Sequence, residues 1–407
     1  MNSSKNKSIL TGVMLTAGTA IGAGMFSLPV ASSGMWFVLS LFCLLFLWYI
    51  SYLSAIYLLE INLRFSPGAS FDTLVKNILG KEWNTITGLS IAFLHYILLY
   101  AFFSAFGSIL TSTFGTIDWP NGALGLLFGG VLAIAVWWST TLVGRISTIL
   151  VVGMVATFII SIYGYSLQIE AAKLFDTVGK DTDYIPYIWA ALPYYMTSFG
   201  FCSIVPSLYK YYGKRPTTIK KSMLLGSLIA LVVYCLFVFV VFGNISREAF
   251  IDINKAGGNM GVLVDALTQS GDQGIVNTSF TLFSNFAIIT SFLGVGLSLL
   301  DYIADLFSFP DTAKGRFYSA CITFLPSGIL SFFFPNGFIA AIGYAGLVLI
   351  FSLFFVPFLM IKKTRKLNSE VSYRVKGGNL LLNIFMLSSI FIAIFHVLAM
   401  FDYLPIW

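Results

Sequence analysis

Two stretches of this chain place glycine, proline and small hydroxylated residues where a long apolar helix would be built of leucine. The first runs Thr16, Ala17, Gly18, Thr19, Ala20, Ile21, Gly22, Ala23, Gly24, Met25, Phe26, Ser27, Leu28, Pro29. The second runs Ala191, Leu192, Pro193, Tyr194, Tyr195, Met196, Thr197, Ser198, Phe199, Gly200, Phe201, with Pro206 beyond it. Such spacing predicts helices that break. In a bilayer an unpaired backbone group costs several kcal/mol, so a break persists only where it faces protein or a water-filled cavity. The chemistry this offers is recognition. Half-helix N-termini present N–H donors and a positive dipole end to a carboxylate, while freed carbonyls can hold a cation. Gly22, Ala23 and Gly24, with Thr19 in the same run, are the expected carboxylate site of an amino acid. Thr197, Ser198, Phe199 and Gly200 are expected to hold its amino group and side chain. Close packing of helices through small residues is the competing explanation of the glycines.

The elements that must position these residues follow from composition. Of 407 residues, 58% are hydrophobic and 10% charged, with a mean hydropathy of +0.89, whereas soluble domains carry about a quarter charged residues. This is the composition of a polytopic membrane protein. At about 20 residues per span, eleven apolar segments are long enough, near 9–31, 35–60, 86–110, 122–142, 146–168, 186–208, 222–243, 276–300, 317–334, 337–361 and 380–401. The tight join from Phe334 to Gly337 makes ten the competing count. Segment one, preceded by Lys5 and Lys7, looks like a signal peptide, but its apolar run exceeds the roughly 7 to 15 residues of a cleavable one. It is expected to be retained.

With the N-terminus in the cytoplasm, nineteen of the 23 Lys and Arg residues fall on the inner side, and only Lys173, Lys180, Arg247 and Lys255 on the outer. That asymmetry is the positive-inside rule. It predicts an extracytoplasmic C-terminus and accounts for the net charge of +6 without nucleic acid. Cys43, Cys202, Cys235 and Cys321 sit within apolar segments, giving neither a disulfide framework nor a metal site. The expected partners are an amino acid and the lipid bilayer, with no cofactor and no obligate protein partner.

The broken segments are the first and the sixth. Five helices followed by five of opposite orientation, each set opening on a broken helix, is the pattern of an inverted-repeat transporter with substrate held between the breaks. The whole chain, 1–407, then forms one transport domain: repeats at 9–168 and 186–361 and an extra eleventh helix at 380–401. Between segments two and three, Ser70 caps a short amphipathic helix carrying Phe71, Leu74, Val75, Ile78 and Leu79, stopped by Gly80; it either lies on the inner membrane surface or braces its neighbours. A membrane-embedded enzyme is the alternative of another class. Asp181, Thr182 and Asp183 do form a D-x-D, but the pattern is short and no nucleotide loop or acid/base pair accompanies it, so no enzyme is expected.

The run Gly18 to Pro29, the stretch Thr197 to Phe201 with Pro206, the run Thr290, Ser291, Phe292, Leu293, Gly294, Val295 leading to Asp301, Tyr302, Ile303, Ala304, Asp305, and the loop Tyr373, Arg374, Val375, Lys376, Gly377, Gly378 together resemble the bacterial hydroxy and aromatic amino acid permeases of the amino acid, polyamine and organocation superfamily. The resemblance covers nearly the whole chain. It implies an all-α, leucine-transporter-like integral membrane protein of the cytoplasmic (inner) membrane, importing an amino acid by cation symport. Tyrosine is the first substrate it implies, with tryptophan or serine as alternatives. Sodium-coupled relatives of this fold hold their cation with oxygens placed like those of Gly18, Ile21, Ala287, Thr290 and Ser291. Some proton-coupled relatives place a lysine there from helix five, but 146–168 contains none and Met154 stands in its region. Proton and sodium therefore both remain open. Thr290 and Ser291 can equally bond their own helix backbone.

Tyr96, Tyr100, Phe199 and Phe201 are candidates to stack on an aromatic side chain. Ionisable residues within spans mark functional sites by default. His95 is a candidate substrate contact or proton relay, Glu60 and Asp301 are candidate gates, and His396 is expected to be structural.

Overall fold

The computed structural model describes residues 8–67, 69–114, 119–177, 183–269, 274–310, 312–366, 373–401 and 403–407. Lys5, Lys7, Lys180, Asp181 and Thr182 lie outside the described residues. Among the described residues there is no strand. In chain order the helices are α1 (Ile9–Ala20), α2 (Ser27–Ser32), α3 (Trp36–Asn62), α4 (Phe71–Ile78), α5 (Lys81–Phe114), α6 (Asn121–Trp138), α7 (Thr140–Ser166), α8 (Ala171–Leu174), α9 (Ile188–Ser198), α10 (Val205–Tyr212), α11 (Pro216–Asn244), α12 (Ala249–Lys255), α13 (Met260–Gln269), α14 (Gly274–Phe307), α15 (Ala313–Phe333), α16 (Phe338–Ile350), α17 (Val356–Lys366) and α18 (Gly378–Met400).

Local chemistry sets several of these bounds. Ser8, Ser70, Ser139 and Thr312 cap α1, α4, α7 and α15, each side chain accepting a hydrogen bond from a first-turn backbone N–H, which satisfies a donor the helix cannot. Gly213 ends α10 at φ +68°, a backbone region open to glycine, and Pro216 opens α11 three residues later.

Nine helices among the described residues are long and apolar enough to cross a membrane, or ten if the bent pair α1 and 23–32 counts as one span. That pair bends by 47° and is the first expected break. The expected segment 317–334 is α15, a 21-residue helix less apolar than those nine. The chain does break between Phe333 and Phe338, so α15 and α16 are separate helices; α15 packs on α6 and α5, and α16 on α5 and α9.

Helix α4 buries Leu74, Val75 and Ile78 against α5 and α17. Of the two roles open to it, the brace is the one its apolar face serves. At the centre α1 lies on α11, α14 lies between α5 and α7, and α9 meets α2, α3, α16 and α18. The two interrupted segments are therefore neighbours: α2 touches α9, and α1 touches the 3-10 turn 200–204 that follows α9. Phe26, just past the first break, inserts among Phe237, Phe280 and Phe283 at ring distances of 5.2 to 6.3 Å.

Candidate substrate-binding site

The helix ends at the two breaks share a cavity of about 520 Å³, within the range of small-molecule sites. Gly18 to Gly24 form one wall, Thr197, Ser198, Gly200 and Ser203 another, and Thr290, Ser291, Gly294 and Ser298 of α14 a third. Leu98 and Phe102 of α5 and Ile342, Leu349 and Leu353 beside them supply apolar surface. The lining reaches from the breaks toward the face that carries the basic loops, ending at Leu58, Phe71, Pro206 and Ser298.

On the other side of the breaks, Arg247 ties down the chain that follows α2. Arg247, 2% exposed, donates to the carbonyls of Gly34 at 2.7 Å and Ser33 at 3.4 Å just past α2. It also pairs with Asp176 at 3.4 Å and lies under the Trp407 ring at 3.6 Å.

Gly22 is extended (φ −163°, ψ −167°), and a Cβ there would lie 2.9 Å from Ser291 Oγ, so the first break and α14 approach as closely as glycine permits. The amide of Ala23 donates to Ser291 Oγ at 3.1 Å. Ser198 Oγ lies 3.2 Å from the Gly24 carbonyl and 3.1 Å from the Tyr194 carbonyl, joining the two breaks. Thr197 Oγ1 shares its proton between the carbonyls of Pro193 (3.0 Å) and Ile342 (3.1 Å), tying the end of α9 to α16.

Of the expected substrate residues, Thr19, Gly22, Ala23, Gly24, Thr197, Ser198 and Gly200 lie together on the lining. Tyr96, Phe199 and Phe201 do not. Tyr96 donates to the Ile322 carbonyl at 2.9 Å and, with Tyr100, lines a separate groove against α15. Phe199 and Phe201 are fully buried, Phe199 edge-on to Tyr234 at 5.1 Å. The rings that do face the cavity are Phe71, His95 and Phe102. Phe71 and Phe102 carried no local signal, being two phenylalanines among 40 whose facing depends on how α4 and α5 pack.

Gly18, Ile21, Thr290 and Ser291 also meet on this lining. Ala287 is fully buried behind it, its carbonyl accepting from Ser291 Oγ at 2.7 Å and Thr290 Oγ1 at 3.1 Å. Both hydroxyls thus bond their own helix backbone, while their remaining lone pairs are open to a further donor or a hard cation. His95 holds the Ile91 carbonyl at 2.7 Å through Nδ1, which makes that nitrogen the protonated one and leaves Nε2 as an acceptor.

Glu60 and Asp301 stand apart from the cavity. Glu60 is fully buried and takes Arg365 in a two-pronged pair at 2.9 and 2.7 Å, plus the Val375 amide at 2.8 Å. It anchors the loop 373–378 to α3. Asp301 is exposed near the basic-face end of α14. His396 is buried in α18, edge-on to Tyr194 at 6.4 Å.

A polytopic helical protein with two interrupted helices meeting at a cavity that combines hydroxyls, glycine backbone and apolar side chains belongs, by fold and site, among the membrane solute transporters. The model of the tryptophan/tyrosine permease family matches residues 5–396, and the chain belongs to that family. It is an aromatic amino acid permease, a multi-pass membrane protein and not an enzyme. It is similar to a tryptophan-specific transport protein of Pseudomonas aeruginosa, 44% identical over 99% of this chain and 97% of that one. It is also similar to the low affinity tryptophan permease of Escherichia coli K12, 38% identical over 98% of each chain, and to a tyrosine permease of Enterobacter agglomerans, 38% identical over 98% and 97%.

Proposed function

We propose that this permease imports tryptophan first and tyrosine second across the cytoplasmic membrane, by cation symport with alternating access. The observation that carries the reading is the cavity that both helix breaks line, extending from them toward Leu58, Phe71, Pro206 and Ser298. Tryptophan stands ahead of the tyrosine implied by the sequence strings because the tryptophan-specific relative shares 44% identity and the tyrosine permease 38%. The substrate carboxylate lies at the amides of Gly22 and Gly24, its amino group near the end of α9, and its ring against Phe102 and His95. The expected arrangement is eleven helices as five plus five inverted, with an extra eleventh, the N-terminus cytoplasmic and the C-terminus outside. In that orientation the cavity faces the cytoplasm.

The coupling cation is placed beside the substrate. Sodium would use oxygens of Gly18, Ile21, Thr290 and Ser291 with Ala287 behind them, and a proton would use His95 Nε2. Uptake of radiolabelled tryptophan into proteoliposomes, under an imposed proton or sodium gradient with tyrosine, phenylalanine and serine as competitors, tests the proposal. Accumulation under one gradient, with tyrosine the strongest of the three competitors, supports it and names the ion. No accumulation under either gradient, with folded protein in the vesicles, refutes symport.

A further inference from the structure

Behind the cavity, and not on its lining, sits a residue that touches both breaks at once. Tyr234 of α11 has no exposed surface. Its hydroxyl lies 2.6 Å from the carbonyl oxygen of Ala20 and 2.7 Å from that of Ser198. Ala20 is the last residue of α1 and Ser198 the last of α9. Both carbonyls therefore belong to the final turn of a helix that stops inside the protein, where the next turn offers no N–H and the dipole is negative. A phenol has one proton and two lone pairs, so it bonds either carbonyl, or both weakly, and leaves neither end without a donor within reach. Its ring packs edge-on against Phe199 at 5.1 Å, which holds the phenol oxygen between the two carbonyls.

We propose that Tyr234 is a positioning residue for transport: one phenol joins the C-terminal ends of both half-helices and holds the cavity-lining groups that follow them, Gly22 and Gly24 after one and Gly200 after the other, in a single relative geometry. The substrate never meets Tyr234. It meets backbone whose placement depends on it, so the loss should appear as weakened binding. This rests on the reading of the cavity as the substrate site.

Tyr234→Phe removes the hydroxyl and keeps the ring. Reconstituted protein should show a KM for tryptophan raised about tenfold with a maximal rate within threefold of the parent. Hydrogen exchange should quicken together in the peptides covering 21–25 and 199–203. A merely structural role would lower the amount of active transporter, and with it the maximal rate, while leaving KM alone. An unchanged KM, a fall confined to the maximal rate, or quickened exchange at only one break overturns the proposal. If the phenylalanine variant does not reach the membrane, 3,5-difluorotyrosine at position 234, a stronger donor of nearly the same shape, should lower KM and slow exchange at both breaks; no change in either overturns it. Failure of the parent protein to transport tryptophan would fall on the proposed function, whereas the exchange measurement tests the link between the breaks without any substrate.

Discussion

Replacing Gly22 with alanine puts the contact between the first break and α14 under direct test. The added Cβ would lie 2.9 Å from Ser291 Oγ, inside any normal contact distance, so one side must give. The backbone at Gly22 is extended, a conformation alanine adopts freely, so the strain comes from the neighbour rather than from φ and ψ. The cheapest response is rotation of Ser291 away from Ala23, which forfeits the hydrogen bond from the Ala23 amide at 3.1 Å. A neutral hydrogen bond contributes about 0.5 to 1.5 kcal/mol net. At about 1.4 kcal/mol per factor of ten, Gly22→Ala should raise the KM for tryptophan roughly 2- to 12-fold in initial-rate uptake. Ser291→Ala removes the same bond and also the atom that clashes. The double variant should therefore be no worse than Ser291→Ala alone, the non-additivity expected of two residues in contact. Two penalties that simply add would refute the reasoning, since they would mean that Gly22 is required for something other than its approach to Ser291.

Glu60→Gln should lower the melting temperature of the detergent-purified protein markedly, because removing one partner of a buried pair leaves Arg365 uncompensated at about 3 to 5 kcal/mol; a melting temperature within a degree or two of the parent would contradict the anchoring role. At Gly346 a Cβ would meet the Pro193 carbonyl at 2.5 Å and Thr197 Oγ1 at 2.7 Å. Gly346→Val should thus force α16 off α9 and abolish most uptake, and near-normal uptake at equal surface expression would show that this contact is dispensable. Tyr96→Phe should leave the KM for tryptophan within about twofold, since its hydroxyl donates to Ile322 and lines a groove outside the cavity; a tenfold change would restore Tyr96 to the substrate site.

The helix breaks, the charge asymmetry and the apolar segments were legible in the sequence because each is a local property. Gly18, Gly22 and Gly24 weaken a helix wherever it lies, and the lysines and arginines report on their own loops. Thr197, Ser198 and Gly200 could be placed beside Gly22 because two broken segments in one membrane protein have reason to meet. Which side chains face the cavity is not a local property. Phe199 and Phe201 sit one residue either side of Gly200, yet the turn at 200–204 directs both into the protein, and Phe71 reaches the lining only because α4 is held by α5 and α17.

Glu60 and Arg365 are separated by 305 positions, and nothing in either neighbourhood announces the other. Tyr234 is one tyrosine among 20 in an unbroken apolar helix. Composition and periodicity determined that the chain crosses a membrane many times and where its helices fail. Only the tertiary structure decided what meets at those failures, because a buried polar group must find its partner in space, and the chain alone does not say which distant group is carried there.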